Sequence, residues 1–222
     1  MSEYTQDTTG QAPRPIRLGM VGGGNDAFIG AVHRIASRID GQYELVAGAL
    51  SSTPEKAQAS GRALGLSPDR TYDDYKQMAI REARLKEGID AVAIVTPNHV
   101  HFPAAREFLK RGIHVICDKP LTSTLPDARK MAKMVEEADA LFVLTHNYTG
   151  YPLIRQARQM IADGELGDIR VVQVEYPQDW MTEDQTNKQA EWRTGAICSG
   201  MGGAFSRTFL SGSSLACFVS GL

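Results

Sequence analysis

The sequence predicts an α/β protein: a doubly wound parallel sheet with helices on both faces, followed by an incomplete α/β second domain. Three observations carry this. Short apolar runs alternate with amphipathic helical patterns from Ile16 onward. The run DAVAIVTP, residues 90–97, is continuous and β-branched rather than alternating, as in a strand buried on both faces. Three glycines at 22–24 sit directly between the first apolar run and the first helical pattern.

Taken in order, IRLGMVGGG (16–24) reads as a buried strand entering a glycine turn. AFIGAVHRIASRI (27–39) follows with Phe28, Val32, Ile35 and Ile39 at helical spacing, and with His33 and Arg34 on a solvated face. YELVAGAL (43–50) is the second strand. TPEKAQASGRALG (53–65) then opens a helix, with Thr53 at the N-cap and Pro54 at the first helical position. The strand over 90–97 leads to a helix in AAREFLKRGI (104–113), which Gly112 ends. HVICDKP (114–120) is again a buried strand. In LPDARKMAKMVEEAD (125–139), Ala128, Met131, Ala132, Val135 and Ala138 form one stripe, and ALFVLTHN (140–147) is a further strand. PLIRQARQMIADGELG (152–167) is amphipathic through Ile154, Ala157, Met160 and Ile161. DIRVVQVEYPQ (168–178) alternates as a half-exposed strand does.

The 222 residues carry a formal charge of −2, which leaves no electrostatic footprint for nucleic acid. No apolar run is long enough to span a bilayer. Residues 1–15 are polar, without the basic start and apolar core of a signal peptide, and read as a solvated arm. Cys117, Cys198 and Cys217 show no paired spacing, which points to free thiols in a reducing, cytoplasmic setting. His99, His101, His114 and His146 lack a carboxylate to complete a ligand set, so no metal is expected.

In the glycine turn, Gly22, Gly24 and Ala27 stand in a G-x-G-x-x-A register. Gly22 allows a tight turn, Gly24 lets the backbone approach a pyrophosphate, and Ala27 keeps the helix close to the sheet. The helix start then offers free N–H groups to the phosphates. A plain tight turn is the alternative; the position on the first strand and helix favours a dinucleotide. No acidic residue ends the second strand, where Ser51 and Ser52 stand, with Lys56 one helix turn on. Small hydroxyls and a lysine tolerate a ribose 2′-phosphate that an aspartate would repel. The same residues also serve as a serine-rich N-cap, so both NAD and NADP stay open.

Two strands end in unusual polar sets, VTPNHVHF (95–102) and ICDKPL (116–121), where an open parallel sheet places its ligands. Pro120 biases Lys119 to extended backbone, which holds the lysine at the strand end. These sets, with GMVGGG and AFIG before them, resemble the N-terminal half of the glucose-fructose oxidoreductase / inositol dehydrogenase / MocA family. The resemblance implies a Rossmann-type domain over 16–150 and the start of a substrate and oligomerisation domain over 151–222. It further implies NAD(P)-dependent hydride transfer to or from a sugar, cyclitol or related secondary alcohol, in a homo-oligomer.

ICDKPL corresponds to the family's Glu-Lys-Pro motif, with Asp118 in the glutamate place. By resemblance Asp118 hydrogen-bonds a cofactor ribose, and Lys119, the candidate catalytic residue, meets the substrate oxygen beside the nicotinamide. Phe28 and Ile29 at the helix start, Thr96, Pro97, Asn98, His101 and Pro120 lie along the cofactor. Asn147 lies near the nicotinamide, and Trp192 and Arg193 match a family Trp-Arg element that approaches the cofactor. Oxidising an alcohol removes a hydride and a hydroxyl proton together, so a base must reach that hydroxyl. A lysine titrates near ~10.4 in water, and burial beside a positive nicotinamide pushes it down.

The family's next motif, Gly-Asp-x-Gly-x-x-His, commonly supplies the proton acceptor. By count, Arg207 stands in the aspartate place and Ser211 in the histidine place. A serine hydroxyl is no base near neutral pH without a partner, and an arginine accepts no proton. Relatives also continue for about another domain past the place of Leu222. Two functions therefore stand side by side: an NAD(P)-dependent oxidoreductase, and a catalytically impaired dinucleotide-binding module.

Overall fold

The computed structural model describes residues 14–25, 27–177 and 203–221, with the side chains of 203–208 left out. Five strands form one sheet in the order β2-β1-β3-β4-β5: β1 (Ile16–Gly22), β2 (Tyr43–Ala49), β3 (Ala91–Val95), β4 (His114–Asp118) and β5 (Phe142–Thr145). The pairs that β1 makes with β2 and with β3 are both parallel. The flanking helices are α1 (Phe28–Arg38), α2 (Pro54–Ala63), α3 (Tyr75–Glu82), α4 (Asn98–Leu109), α5 (Leu125–Glu137), α6 (Pro152–Ala162) and α7 (Gly203–Ser220). The chain divides into two compact units. One holds residues through Val95 with 107–115 and 139–141, and the other holds 96–106, 116–138 and 142 onward.

In the first unit β1 is central. Met20, Val92 and Ile94 are fully buried, as their continuous apolar runs require. Strand order reverses between β1 and β3, where Gly22 pairs with Val95 at the carboxyl ends. Helix α1 forms where its pattern predicts, yet Phe28, Val32, Ile35 and Ile39 are all exposed. Thr53 is the N-cap of α2 by position and backbone, but its side chain caps nothing. Instead the Thr53 N–H donates to Ser51 Oγ at 3.1 Å.

Helix α3 was not foreseen from the pattern. Asp74 caps it, accepting from the Lys76 N–H at 3.2 Å. Its last residue, Glu82, is buried and fully engaged. Arg70 donates to both carboxylate oxygens at 2.7 and 2.6 Å, Tyr72 Oη donates at 2.6 Å, and the Ile89 N–H donates at 3.1 Å. Burial, and then the hydrogen bond to Glu82, push the Tyr72 phenol well up.

Asp90, just before β3, takes the Arg17 N–H at 2.8 Å and a two-point contact from Arg14 at 2.7 and 2.9 Å. The hydrogen bond from Arg14 is the main reason its carboxyl sits well below the ordinary carboxylate range. A depressed carboxyl stabilises the fold above its unfolded value of about 3.9, and that contribution fades as pH falls through the folded value. Asp90→Asn is therefore expected to lower stability at neutral pH and to flatten the loss of stability below about pH 4. Parallel acid-unfolding curves for the two proteins would contradict this.

Helix α4 begins at Asn98, earlier than its pattern suggests, and carries Pro103 inside it. The end of β3 thus runs almost directly into a helix start. Residues 168–177, expected as a strand, make no strand ladder with any described residue and are exposed, Val171 at 81%. A strand without a neighbour has no ladder to make. No helix among the described residues is long and apolar enough to cross a membrane.

Candidate functional site

The glycine turn belongs to the first unit. Gly22 and Gly23 adopt φ of 79° and 73°, the left-handed region that glycine occupies without strain. The Gly24 N–H donates to Leu50 O at 3.2 Å, and the Ala27 N–H returns to Gly24 O at 2.9 Å. The close approach of α1 to this turn is made by Gly30, where an added Cβ would overlap the Gly23 backbone. Ala27, assigned that role by spacing, is the N-cap residue instead. Arg34 also departs from its expected solvated face, because its guanidinium donates to the Gly23 carbonyl. Sequence spacing missed Gly23, Gly30 and Arg34 because their roles depend on tertiary contact.

The first turn of α1 carries no acidic residue, and Ala27 supplies no side-chain cap. The first N–H groups of a helix have no acceptor within it, and without a cap from Ala27 they suit a phosphate. Phe28 is exposed and Ile29 half-buried in that turn. Ser51 is half-buried and Ser52 exposed at the end of β2. Gly30→Ala is expected to push α1 off the turn, costing about 1–3 kcal/mol of stability and weakening dinucleotide binding. An unchanged urea midpoint together with unchanged affinity would contradict the close approach.

The second unit gathers the other strand-end residues. His101 is 1% exposed, with Nδ1 at 2.7 Å from Pro120 O and Nε2 at 3.0 Å from Thr96 O. It thereby ties the Lys119–Pro120 turn to the segment that opens α4. Asp118 is buried and accepts from Thr145 Oγ1 at 2.8 Å. Thr96 Oγ1 is buried and has no hydrogen-bond partner among the described residues, an orphan that a bound polar ligand can satisfy. Asn98 is buried and Pro97 half-buried beside it. The uncapped helix start and this orphan hydroxyl are both the kind of donor that a dinucleotide's phosphates and ribose need.

A small cleft in this unit is lined by Lys119, His146, Asn147, Tyr148, Thr149, Ser211 and Ser214. His146 Nδ1 lies 3.2 Å from Ser214 Oγ. Partial burial, then the charge of Lys119, lower the proton affinity of His146. Tyr148 Oη lies 2.5 Å from Tyr176 Oη, and this contact pushes its phenol up to about 12. Ser211 is buried on α7. Trp192 and Arg193 lie outside the described residues, as does the Arg207 side chain. Cys117 is buried and its thiol is pushed up by desolvation, which leaves it unreactive. Among the described residues, no group of three or more His, Cys, Asp and Glu could hold a metal.

Residues 16–146 match the model of an oxidoreductase family with an NAD-binding Rossmann fold. The chain belongs to the GFO/IDH/MocA oxidoreductase family. Residues 154–206 match the GFO/IDH/MocA C-terminal domain. The chain is 34% identical over 191 residues to an uncharacterized oxidoreductase, YfiI, of Bacillus subtilis, covering 84% of this chain and 49% of that protein. An oxidoreductase of Sinorhizobium meliloti is 64% identical with a TM-score of 0.82, over 95% of this chain and 54% of that one. An inositol dehydrogenase homolog of Azotobacter vinelandii, solved with NAD+, is 36% identical with a TM-score of 0.86, over 93% and 54%. The chain spans about half the length of the curated relatives it matches.

Proposed function

We propose that this chain carries the cofactor site and hydride-transfer residues of an NAD(P)-dependent oxidoreductase acting on a secondary alcohol of a sugar or cyclitol. The observation that carries the reading is the glycine-turn helix start, whose N-cap residue supplies no side-chain cap; in the second unit, the strand-end Lys119 lines a cleft. Family membership sets the cofactor class, and the inositol dehydrogenase homolog supports the substrate class. On this reading residues 16–150 form the dinucleotide-binding domain, and 151–222 begin the next.

Gly22, Gly24 and the first turn of α1 hold the diphosphate. Thr96 and Asp118 offer a hydroxyl and a carboxylate to the ribose, with Pro97, Asn98 and Asn147 alongside. Ser51 and Ser52 meet the adenosine ribose without an acidic side chain, which is compatible with either NAD or NADP. The bound nicotinamide supplies the hydride acceptor for alcohol oxidation. Lys119 holds the substrate oxygen and steadies the negative charge that grows on it as its proton leaves. His101, through the Pro120 and Thr96 carbonyls, fixes the turn that carries Lys119.

Ser211 in the cleft favours a second reading, a dinucleotide-binding module without turnover, because a serine hydroxyl is itself no base near neutral pH. One experiment separates the two. NADH and NADPH are titrated by nicotinamide fluorescence, and the loaded chain is then offered a panel of sugars and cyclitols. Binding with turnover supports the oxidoreductase. Binding without turnover at high protein leaves the module, and absence of binding overturns both.

A further inference from the structure

Among the described residues, the cleft beside Lys119 contains one side chain whose ordinary titration lies near neutral pH, His146. Its backbone is pinned on both sides. The His146 carbonyl accepts from Thr149 Oγ1 at 2.7 Å and from the Thr149 N–H at 3.1 Å, while its own N–H donates to Leu144 O at 2.9 Å. A different element fixes the ring, through the 3.2 Å contact of Nδ1 with Ser214 Oγ on α7. A proton on Nδ1 that is donated to Ser214 leaves the lone pair on Nε2, the form a general base needs.

The neighbours suit this role. The turn after β4 presents the cation of Lys119, the 147–150 turn presents Tyr148, and α7 presents Ser211 and Ser214. Tyr148, paired with Tyr176, keeps its proton at neutral pH. Ser211 and Ser214 are not bases. Partial burial and the Lys119 charge keep the His146 imidazole neutral, so it stays ready to accept.

We propose that His146 is the proton acceptor of this site, its Nε2 taking the hydroxyl proton of a secondary alcohol whose oxygen is held by Lys119. This rests on the oxidoreductase reading above. The C–H electron pair leaves as hydride to the oxidised nicotinamide, and the O–H electron pair becomes the second C–O bond. The proton passes to Nε2, so alcohol becomes ketone and imidazole becomes imidazolium, which returns its proton to solvent. The place that holds Ser211 then needs no base of its own.

The test uses the 222-residue chain. Ring-labelled histidine NMR, assigned with His146→Gln, needs neither cofactor nor turnover. His146 is expected to titrate below about 6.5 and to move up in Lys119→Met. A value at or above the ordinary one, or no response to Lys119→Met, overturns the proposal. In turnover, His146→Gln is expected to lower kcat about 100-fold with KM and dinucleotide affinity kept, and to erase the acid limb of the pH profile. That limb falls as pH drops through the lowered His146 value, where the base is lost. A variant with wild-type kcat and limb overturns this inference alone. A wild-type chain that binds no dinucleotide or transfers no hydride overturns the oxidoreductase reading, and this inference with it. Should His146→Gln fail to fold, Ser214→Ala keeps the ring: a changed nitrogen-tautomer signal with reduced kcat supports the proposal, and an unchanged signal and rate overturn it.

Discussion

Lys119→Met is expected to cut hydride transfer by about 10²–10⁴-fold while the chain still binds dinucleotide. Methionine nearly matches the lysine stem in length, so the strand-end turn tied down by His101 stays in place. What disappears is a positive charge beside the substrate oxygen. As the hydride departs, that oxygen must shed its proton, and any negative charge on it goes unanswered in a partly desolvated cleft. Arginine would not restore the rate, because its planar fork needs a different geometry from a compact ammonium. Single-turnover nicotinamide absorbance reads the effect directly. A Lys119→Met rate within tenfold of wild type would remove lysine from the chemistry.

Glu82→Ala is expected to cost about 3–5 kcal/mol, the usual loss when one partner of a buried ion pair is removed. Every group that reaches this carboxylate is a donor: two guanidinium nitrogens of Arg70, the Tyr72 hydroxyl and the Ile89 N–H. An anion with acceptors on both oxygens matches them all. Alanine strands the four donors and the Arg70 charge. Glutamine fares little better, since its NH2 turns a donor toward donors. The double change Arg70→Met with Glu82→Leu is expected to recover most of the loss, because it removes both buried charges. Urea unfolding followed by far-UV circular dichroism measures all four proteins. A midpoint for Glu82→Ala within about 1 kcal/mol of wild type would contradict the network.

The strands were legible because β1, β3 and β4 are buried on both faces and therefore read as unbroken apolar runs. The glycine turn was legible because a tight strand-to-helix turn with positive φ demands glycine at fixed local positions. The residues that tighten the turn were not. Gly30 and Arg34 act on the Gly23 backbone from within a helix, and spacing along α1 does not say which side meets the turn. Helix α3 escaped because YKQMAIRE mixes charge through its buried face; its signal was the Asp74 cap and the four-residue step from Met78 to Glu82. Lys119 and Asp118 were visible from their place at a strand end. His146 was not, because its character comes from Ser214, 68 residues away, and from Lys119. The 168–177 segment shows the reverse limit: alternation is written in the residues, but a ladder needs a neighbour.

The central position of β1 has a consequence for how the chain is made. β1 leaves the ribosome before its partners and can pair with β2 soon afterwards. Its other edge, Leu18 to Gly22, waits for Ala91 to Val95, about 70 residues later. At ~5–20 residues per second, that edge of IRLGMVG stays open for several seconds in every nascent chain. Until β3 arrives the switch point does not exist, so the glycine turn is synthesised early and gains its neighbouring strand late. Mutations that weaken β3 should therefore lower soluble yield more than they lower the melting temperature of the protein that survives.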